Sequence, residues 1–138
     1  MQIASFSPET RHTAGILLLT ILAVEYGGTY LLRLVRGSTP STPFQLRFSR
    51  AGHAHAGVLV ILALLALPYA DVAGLSGVWD VLARNGVWVA AILMPAGFFL
   101  SCAGRNVERP NRLIVLVYAG AVVLAAGLAT LAVGLLRS

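Results

Sequence analysis

The sequence predicts an all-helical integral membrane protein, an antiparallel bundle of four transmembrane helices with the N and C termini both outside. Of its 138 residues, 58% are hydrophobic and only 11% are charged, whereas about 25% charged is usual for a soluble domain. Four apolar segments cover residues 12–34, 51–70, 85–104 and 112–136. Each reaches the length of about 20 residues that a helix needs to cross a bilayer. We therefore predict a single transmembrane domain, residues 1–138.

The first apolar segment is interpreted as a true transmembrane helix. A cleavable signal peptide has a basic start, a short apolar core and a small-residue cleavage site. Here the apolar run follows Glu9, Arg11 and His12 and is long enough to span. The single cysteine, Cys102, lies inside the third segment, so an intramolecular disulfide is impossible.

The arginines predict the orientation of the chain. All ten basic residues are arginine, and most of them surround the first and third connections, as Arg33, Arg36, Arg47, Arg50, Arg105, Arg109 and Arg112. By the positive-inside rule these two connections face the cytoplasm, which predicts a multi-pass protein of the cell (inner) membrane. The formal charge of +5 is assigned to topology, and we expect no nucleic-acid partner. The basic run after Pro43 is interpreted as an ordinary juxtamembrane connector in preference to a specific anionic-lipid site.

Small residues recur at seven-residue spacing in the last two segments. The two stripes are Ala90, Gly97 and Gly104, and Gly120, Gly127 and Gly134. Small residues on one face let helix backbones approach closely. We predict that the third and fourth helices pair along these stripes, with a homo-oligomer contact on one stripe as the alternative.

Glu25 lies in the body of the first apolar segment. A charged side chain at that depth costs on the order of 3 kcal/mol on insertion scales, so it is expected to face protein or a water-filled cavity and to have a partner. We predict a functional role for Glu25, and the alternative is a structural carboxyl that hydrogen-bonds between helices.

Two histidines, His53 and His55, stand at the start of the second segment in the run Gly-His-Ala-His-Ala-Gly. Residues two apart on a helix diverge by about 200°, so the two imidazoles cannot chelate one ion as an i, i+4 pair can. At most one of them is expected to face the bundle interior. The other would point to headgroups, a neighbouring subunit or a second ligand.

A rise of about 1.5 Å per residue places further polar side chains in the same, cytoplasmic half of the membrane. They include Tyr30, Ser101, Cys102 and Tyr118. We expect them to converge with Glu25, His53 and His55 on one buried polar pocket. A carboxylate, imidazoles and a thiol are ligand types for a transition metal, and imidazole is also a common axial ligand of haem.

The leading hypothesis is a metal- or haem-binding membrane protein with a redox or proton-relay role. In it, Glu25 is a metal ligand or proton carrier, and His53 or His55 is the main ligand. Cys102 is a further candidate metal ligand, and Tyr118 is a candidate cofactor-binding residue. The segment from His53 to Pro68, a histidine followed by an apolar helix that ends in proline, resembles the haem-bearing second helix of haem-copper oxidase subunit I. No later segment offers another histidine, so two-histidine ligation would need a second subunit.

Two other functional classes of membrane protein remain as alternative predictions. An embedded glutamate in the first of four short helices is similar to the organisation of small multidrug resistance transporters, which implies proton-coupled transport at Glu25. A small helical chain is also suited to be an accessory subunit of a larger membrane complex. Hydrolytic motifs such as a Ser-His-Asp set or a phosphate loop are absent from the sequence, and the sequence leaves open whether the protein is an enzyme.

Overall fold

A computed structural model describes residues 6–138, and over this range the chain is helical without strands. Four long helices follow in order: α1 (Pro8–Val35), α2 (Pro43–Val72), α3 (Gly77–Ser101) and α4 (Val115–Arg137), the last preceded by one 3₁₀ turn, Arg112–Ile114. All four are long and apolar enough to cross a membrane. The predictions of an all-helical chain and of a multi-pass membrane protein are confirmed at this level.

The second helix begins earlier than the apolar segment that predicted it. Thr42 caps its N-terminus: its hydroxyl accepts a hydrogen bond from the Gln45 backbone N–H at 3.1 Å, and the Gln45 side chain accepts one from the Thr42 N–H at 3.1 Å. Proline at Pro43 suits the first helical position because its missing N–H has no partner there. The basic run from Phe44 to Arg50 therefore forms the first two turns of α2 rather than a connector.

The helices pack as an open bundle in chain order. Helix α1 packs on α2, α2 on α3, and α3 on α4, with a smaller contact between α2 and α4. Between residues 6 and 138, α1 has no backbone-level contact with α3 or α4. The most deeply buried side chains, such as Leu67 and Val87, lie on α2 and α3. As a result α1 is the least covered helix, and a groove is left between α1 and α3 over α2.

Glycines bring α3 and α4 into backbone contact. A methyl group placed on Gly127 would lie 2.9 Å from the Cα atom of Gly86, and one on Gly97 would lie 2.7 Å from the backbone N of Val117. Gly120 is covered in the same way by Met94. The predicted pairing of the two helices is confirmed, and the stripes are filled within one chain. Two members of the stripes are exceptions. Gly104 lies beyond α3 with φ of +130°, and Gly134 contacts Leu75 in the connection before α3.

A polar cluster ties three helix ends together at the opposite end from most arginines. The Arg84 guanidinium donates to Asp71 at 2.7 Å, to Thr10 at 3.0 Å and to Asp80 at 3.1 Å. Asp71 also accepts from the Ser7 N–H at 3.1 Å and the Thr10 hydroxyl at 3.0 Å. The cluster thereby joins the beginning of α1, the end of α2 and the beginning of α3.

Candidate functional site

His55 is held in a defined orientation on α2. Its Nδ1 lies 2.7 Å from the Ala51 carbonyl oxygen, one turn back, and its ring packs against Phe98 of α3 with 4.9 Å between ring centroids. A carbonyl oxygen only accepts, so in the neutral ring Nδ1 carries the proton and donates it. The lone pair of Nε2 is then free. Beside the ring is a shallow apolar depression of 160 Å³, lined by Ala54, His55, Val58 and Leu59.

His53 faces a different neighbour. A methyl group placed on Gly28 would lie 3.6 Å from both Cε1 and Nε2 of His53, and one on Gly27 would lie 3.9 Å from Nδ1. The imidazole therefore fills the space that two successive glycines of α1 leave open. The divergence predicted from helical geometry is observed, with His53 directed to α1 and His55 to α3.

Glu25 is exposed on the surface of α1. Within residues 6–138 its carboxylate takes part in no ion pair and no side-chain hydrogen bond. An interior position with a polar partner was expected, and the position in the isolated chain differs from that expectation. The reason is the open packing: within residues 6–138 the backbone of α1 contacts that of α2 and of no other helix, and Glu25 lies at the flank of that contact.

Cys102 and Tyr118 lie apart from the histidines. Cys102 is buried at the end of α3, where its thiol donates to the Phe99 carbonyl at 3.4 Å. Tyr118 is 66% exposed on α4, and α4 lies at the far side of α3 from α1. The structure thus does not gather Glu25, His53, His55, Cys102 and Tyr118 into one pocket. In the described part of the chain, no three His, Cys, Asp or Glu side chains are grouped so that they could hold a metal ion.

Glu25 and His55 nevertheless share a depth. Gly28 lies opposite His53, and Gly57 lies opposite Val24, with 4.0 Å between a methyl group placed on Gly57 and Val24 Cγ1. In these two contacts the residue number on α2 falls as that on α1 rises. Glu25 is therefore level with residue 56, one position from His55. At a rise of about 1.5 Å per residue, the two side chains start from nearly the same level of the bundle.

Glu25 also lies on the same side of the bundle as Ala54, the residue next to His55. Leu34 and Gln45 line the groove between α1 and α3. Glu25 precedes Leu34 by nine residues and Ala54 follows Gln45 by nine, which at 3.6 residues per turn is about two and a half turns. Both therefore point away from the groove. We name this side the His55 face, with these members: Glu25 on α1, Arg47, Arg50, Ala54 and Val58 on α2, and His55 at its edge.

Arg47 and Arg50 are charged members of this face that were not predicted as site residues. The signal was in the sequence, because Arg47, Arg50, Ala54 and Val58 follow the spacing of three, four and four residues that marks one side of a helix. The run before Ala51 was interpreted as a connector, so this periodicity was not followed across it. Both arginines are exposed, and neither forms an ion pair with any residue in the range 6–138.

Fold and site together define a multi-pass helical membrane protein with an oriented imidazole on its second helix. Comparisons with protein-family models, with curated proteins and with solved structures found no match. The function is therefore argued from the residues of the His55 face.

Proposed function

We propose that this protein binds a haem on the His55 face, with His55 as an axial ligand, and that the haem serves a redox role in the membrane. The observation that carries the proposal is the contact of 2.7 Å between His55 Nδ1 and the Ala51 carbonyl. Histidines that ligate a metal commonly donate their other ring N–H to a carbonyl or carboxylate, which fixes the ring and raises the basicity of the ligating nitrogen. Nε2 of His55 is the nitrogen left for the iron.

Haem fits these residues better than a bare metal ion. A structural or catalytic zinc site takes three or four protein ligands, and the described residues offer no such group. Haem iron already has four porphyrin nitrogens and needs only one or two axial ligands from protein. Ala54 and Val58 are exposed beside His55 and offer an apolar surface against which part of a flat, apolar ring would pack.

The two arginines of the His55 face would bind the anionic propionate groups of the haem. Arg50 and Arg47 are five and eight residues before His55, about 7 and 12 Å along the helix axis. Haem propionates extend a comparable distance from the iron. Arginine binds carboxylates in bidentate pairs, and neither guanidinium has an ion-pair partner within residues 6–138. A haem with its propionates towards the arginine-rich end would satisfy both.

Glu25 provides the second polar group of the face. It is level with His55 but starts from α1, so a ligand that covers Ala54 would lie between the two side chains. A carboxylate beside a redox centre is suited to exchange a proton when the charge of that centre changes. We assign Glu25 the role of proton carrier, and His53 the structural role of filling the glycine surface of α1.

For the membrane, we propose an antiparallel arrangement with both termini outside, in a cell (inner) membrane. The support is that helix ends meet in two groups. Ser7, Asp71 and Arg84 join at one end, and Gln45 donates to the Cys102 and Gly104 carbonyls at the other, at 3.0 and 2.9 Å. The second end carries most arginines, which the positive-inside rule assigns to the cytoplasm.

The direct test is the haem content of the purified protein. We expect the protein, expressed in a haem-proficient host and purified in mild detergent, to show a Soret band and a pyridine haemochrome spectrum. The expected ratio is one haem per chain, or one per two chains if a second copy supplies the other axial ligand. A chain that is isolated without haem and also fails to bind added haemin would contradict the proposal.

The arginines give a second expectation. Replacing both in Arg47→Gln/Arg50→Gln is expected to weaken haem binding by about tenfold, because two charge-assisted contacts with the propionates are lost. The reduction potential of the haem is expected to fall, because the positive charges of the two arginines stabilise the reduced iron and are lost in the variant. The matched control is Arg109→Gln/Arg112→Gln, which removes equal charge at the same end but not from α2. Equal effects of both double variants would show that the arginines act only through overall charge.

A specific observation favours one alternative, an accessory subunit of a larger membrane complex. Glu25 is exposed on the helix that the rest of the chain covers least. A partner that covers α1 would also satisfy its carboxylate. Co-purification of one larger membrane protein at fixed stoichiometry, lost in Glu25→Gln, is the result that this alternative expects. Proton-coupled transport at Glu25 stays a prediction, tested by uptake or efflux in vesicles with the same variant.

A further inference from the structure

The groove between α1 and α3 is a second feature of the molecule and lies on the opposite side of α2 from the His55 face. It has a volume of 480 Å³ and opens at the arginine-rich end. It exists because α1 and α3 both pack on α2 without packing on each other in this half of the bundle. Its lining includes Tyr30 and Leu34 of α1, Gln45 and Ser49 of α2, and Phe99 and Leu100 of α3.

The lining changes character along the groove. Leu34, Phe99 and Leu100 give it apolar walls, and the hydroxyls of Thr39 and Ser41 stand at its mouth in the connection between α1 and α2. Apolar walls that lead to hydroxyl groups at a helix end match a molecule with an acyl chain and a polar head. A water-soluble ligand would not need the walls.

Charge around the mouth is positive. A neighbouring depression shares Pro40 and Gly104 with the groove and is also lined by Arg105. Arg33 follows Tyr30 by three residues, the spacing of neighbours on a helix surface. Seven of the ten arginines of the chain lie at this end and only one acidic residue, Glu108. Among the described residues these arginines form no ion pair, since the ion pairs found involve Arg84 at the other end.

We propose that this groove binds an anionic phospholipid. One acyl chain lies between α1 and α3 along Leu34 and Phe99, and the phosphate is held at the mouth by the hydroxyls, Arg33 and Arg105. The charge complementarity selects an anionic headgroup over a zwitterionic one. From the sequence, the basic run after Pro43 was interpreted as an ordinary connector, and Arg33 and Arg105 were used only to predict the orientation. The groove beside these arginines was not predicted, because it forms only through the packing of α1 and α3 on α2. This site is independent of the proposed haem.

Native mass spectrometry of the delipidated full chain in detergent tests the proposal, with phosphatidylglycerol and phosphatidylcholine of identical acyl chains as probes. We expect the first phosphatidylglycerol to bind about tenfold tighter than phosphatidylcholine. Arg33→Gln/Arg105→Gln is expected to remove this preference. Arg11→Gln/Arg137→Gln removes the same charge far from the groove and is expected to keep it. Equal binding of the two lipids, or equal loss in both double variants, would overturn the proposal.

A variant that fills the groove tests whether the lipid binds inside the groove or on the charged surface around it. Ala103 is exposed, lies outside the helices and lines the groove, so Ala103→Trp is expected to fold and to weaken phosphatidylglycerol binding at least about tenfold by occupying the site. Unchanged binding in Ala103→Trp would place the lipid on the arginine surface and reject the groove. Displacement of the lipid by millimolar inorganic phosphate would likewise reject it, because a free anion would then suffice.

Discussion

His55→Ala is expected to abolish the Soret band of the purified protein. The variant removes the imidazole whose Nδ1 is bonded to the Ala51 carbonyl oxygen and whose ring borders the apolar depression on α2. Loss of an axial ligand removes the strongest bond between protein and haem. Absorption spectra of variant and parent, normalised to protein and recorded oxidised and reduced, measure the effect.

His53→Ala is the matched control for this variant, since it removes the same side chain two residues away. His53 fills the surface of Gly27 and Gly28 on α1, so its loss leaves a cavity between helices. We expect lower thermal stability, with a cost of about 2 kcal/mol for a truncated interface side chain, and an unchanged Soret maximum. A spectrum that changes with His53 and not with His55 would reverse the ligand assignment and place the haem between α1 and α2.

Gly127→Leu is expected to have the largest effect on folding. A Cβ atom at this position would lie 2.9 Å from the Cα of Gly86 and 3.1 Å from the Leu82 carbonyl oxygen. Both are backbone atoms, which cannot rotate away, so α3 and α4 must separate along their contact. We expect a loss of about 3 kcal/mol, the upper end of the usual range for overpacked cores, seen as a large fall in Tm in detergent.

Gly15→Leu is the control for the glycine variant. A Cβ atom at Gly15 would meet nothing within 4 Å, although Gly15 also lies inside a long apolar helix. The same substitution is therefore expected to leave Tm unchanged or to raise it slightly, because leucine is the better helix former. Similar losses in the two variants would mean that leucine disturbs this protein for a reason other than the contact between α3 and α4.

The sequence already contained the segments, the charge asymmetry and the close pairing of α3 and α4. Apolar length predicts a membrane span because an unpaired backbone cannot enter hydrocarbon, so the segment must be helical. The glycine spacing predicts a close contact because only hydrogen occupies the space of a side chain there. Both predictions depend only on the local sequence and on the solvent around that segment. The divergence of His53 and His55 is of the same kind, since it follows from the helix repeat alone.

Only the tertiary structure decided which face each polar residue occupies. Expecting Glu25 in the interior assumed a closed bundle, whereas at the level of Glu25 the described part of α1 packs on α2 and leaves this side chain exposed. The groove between α1 and α3 and the shared depth of Glu25 and His55 likewise depend on how far each helix is displaced along its neighbour. That displacement is set by side-chain packing between distant segments, such as His53 against Gly28, and periodicity within one helix carries no information about it.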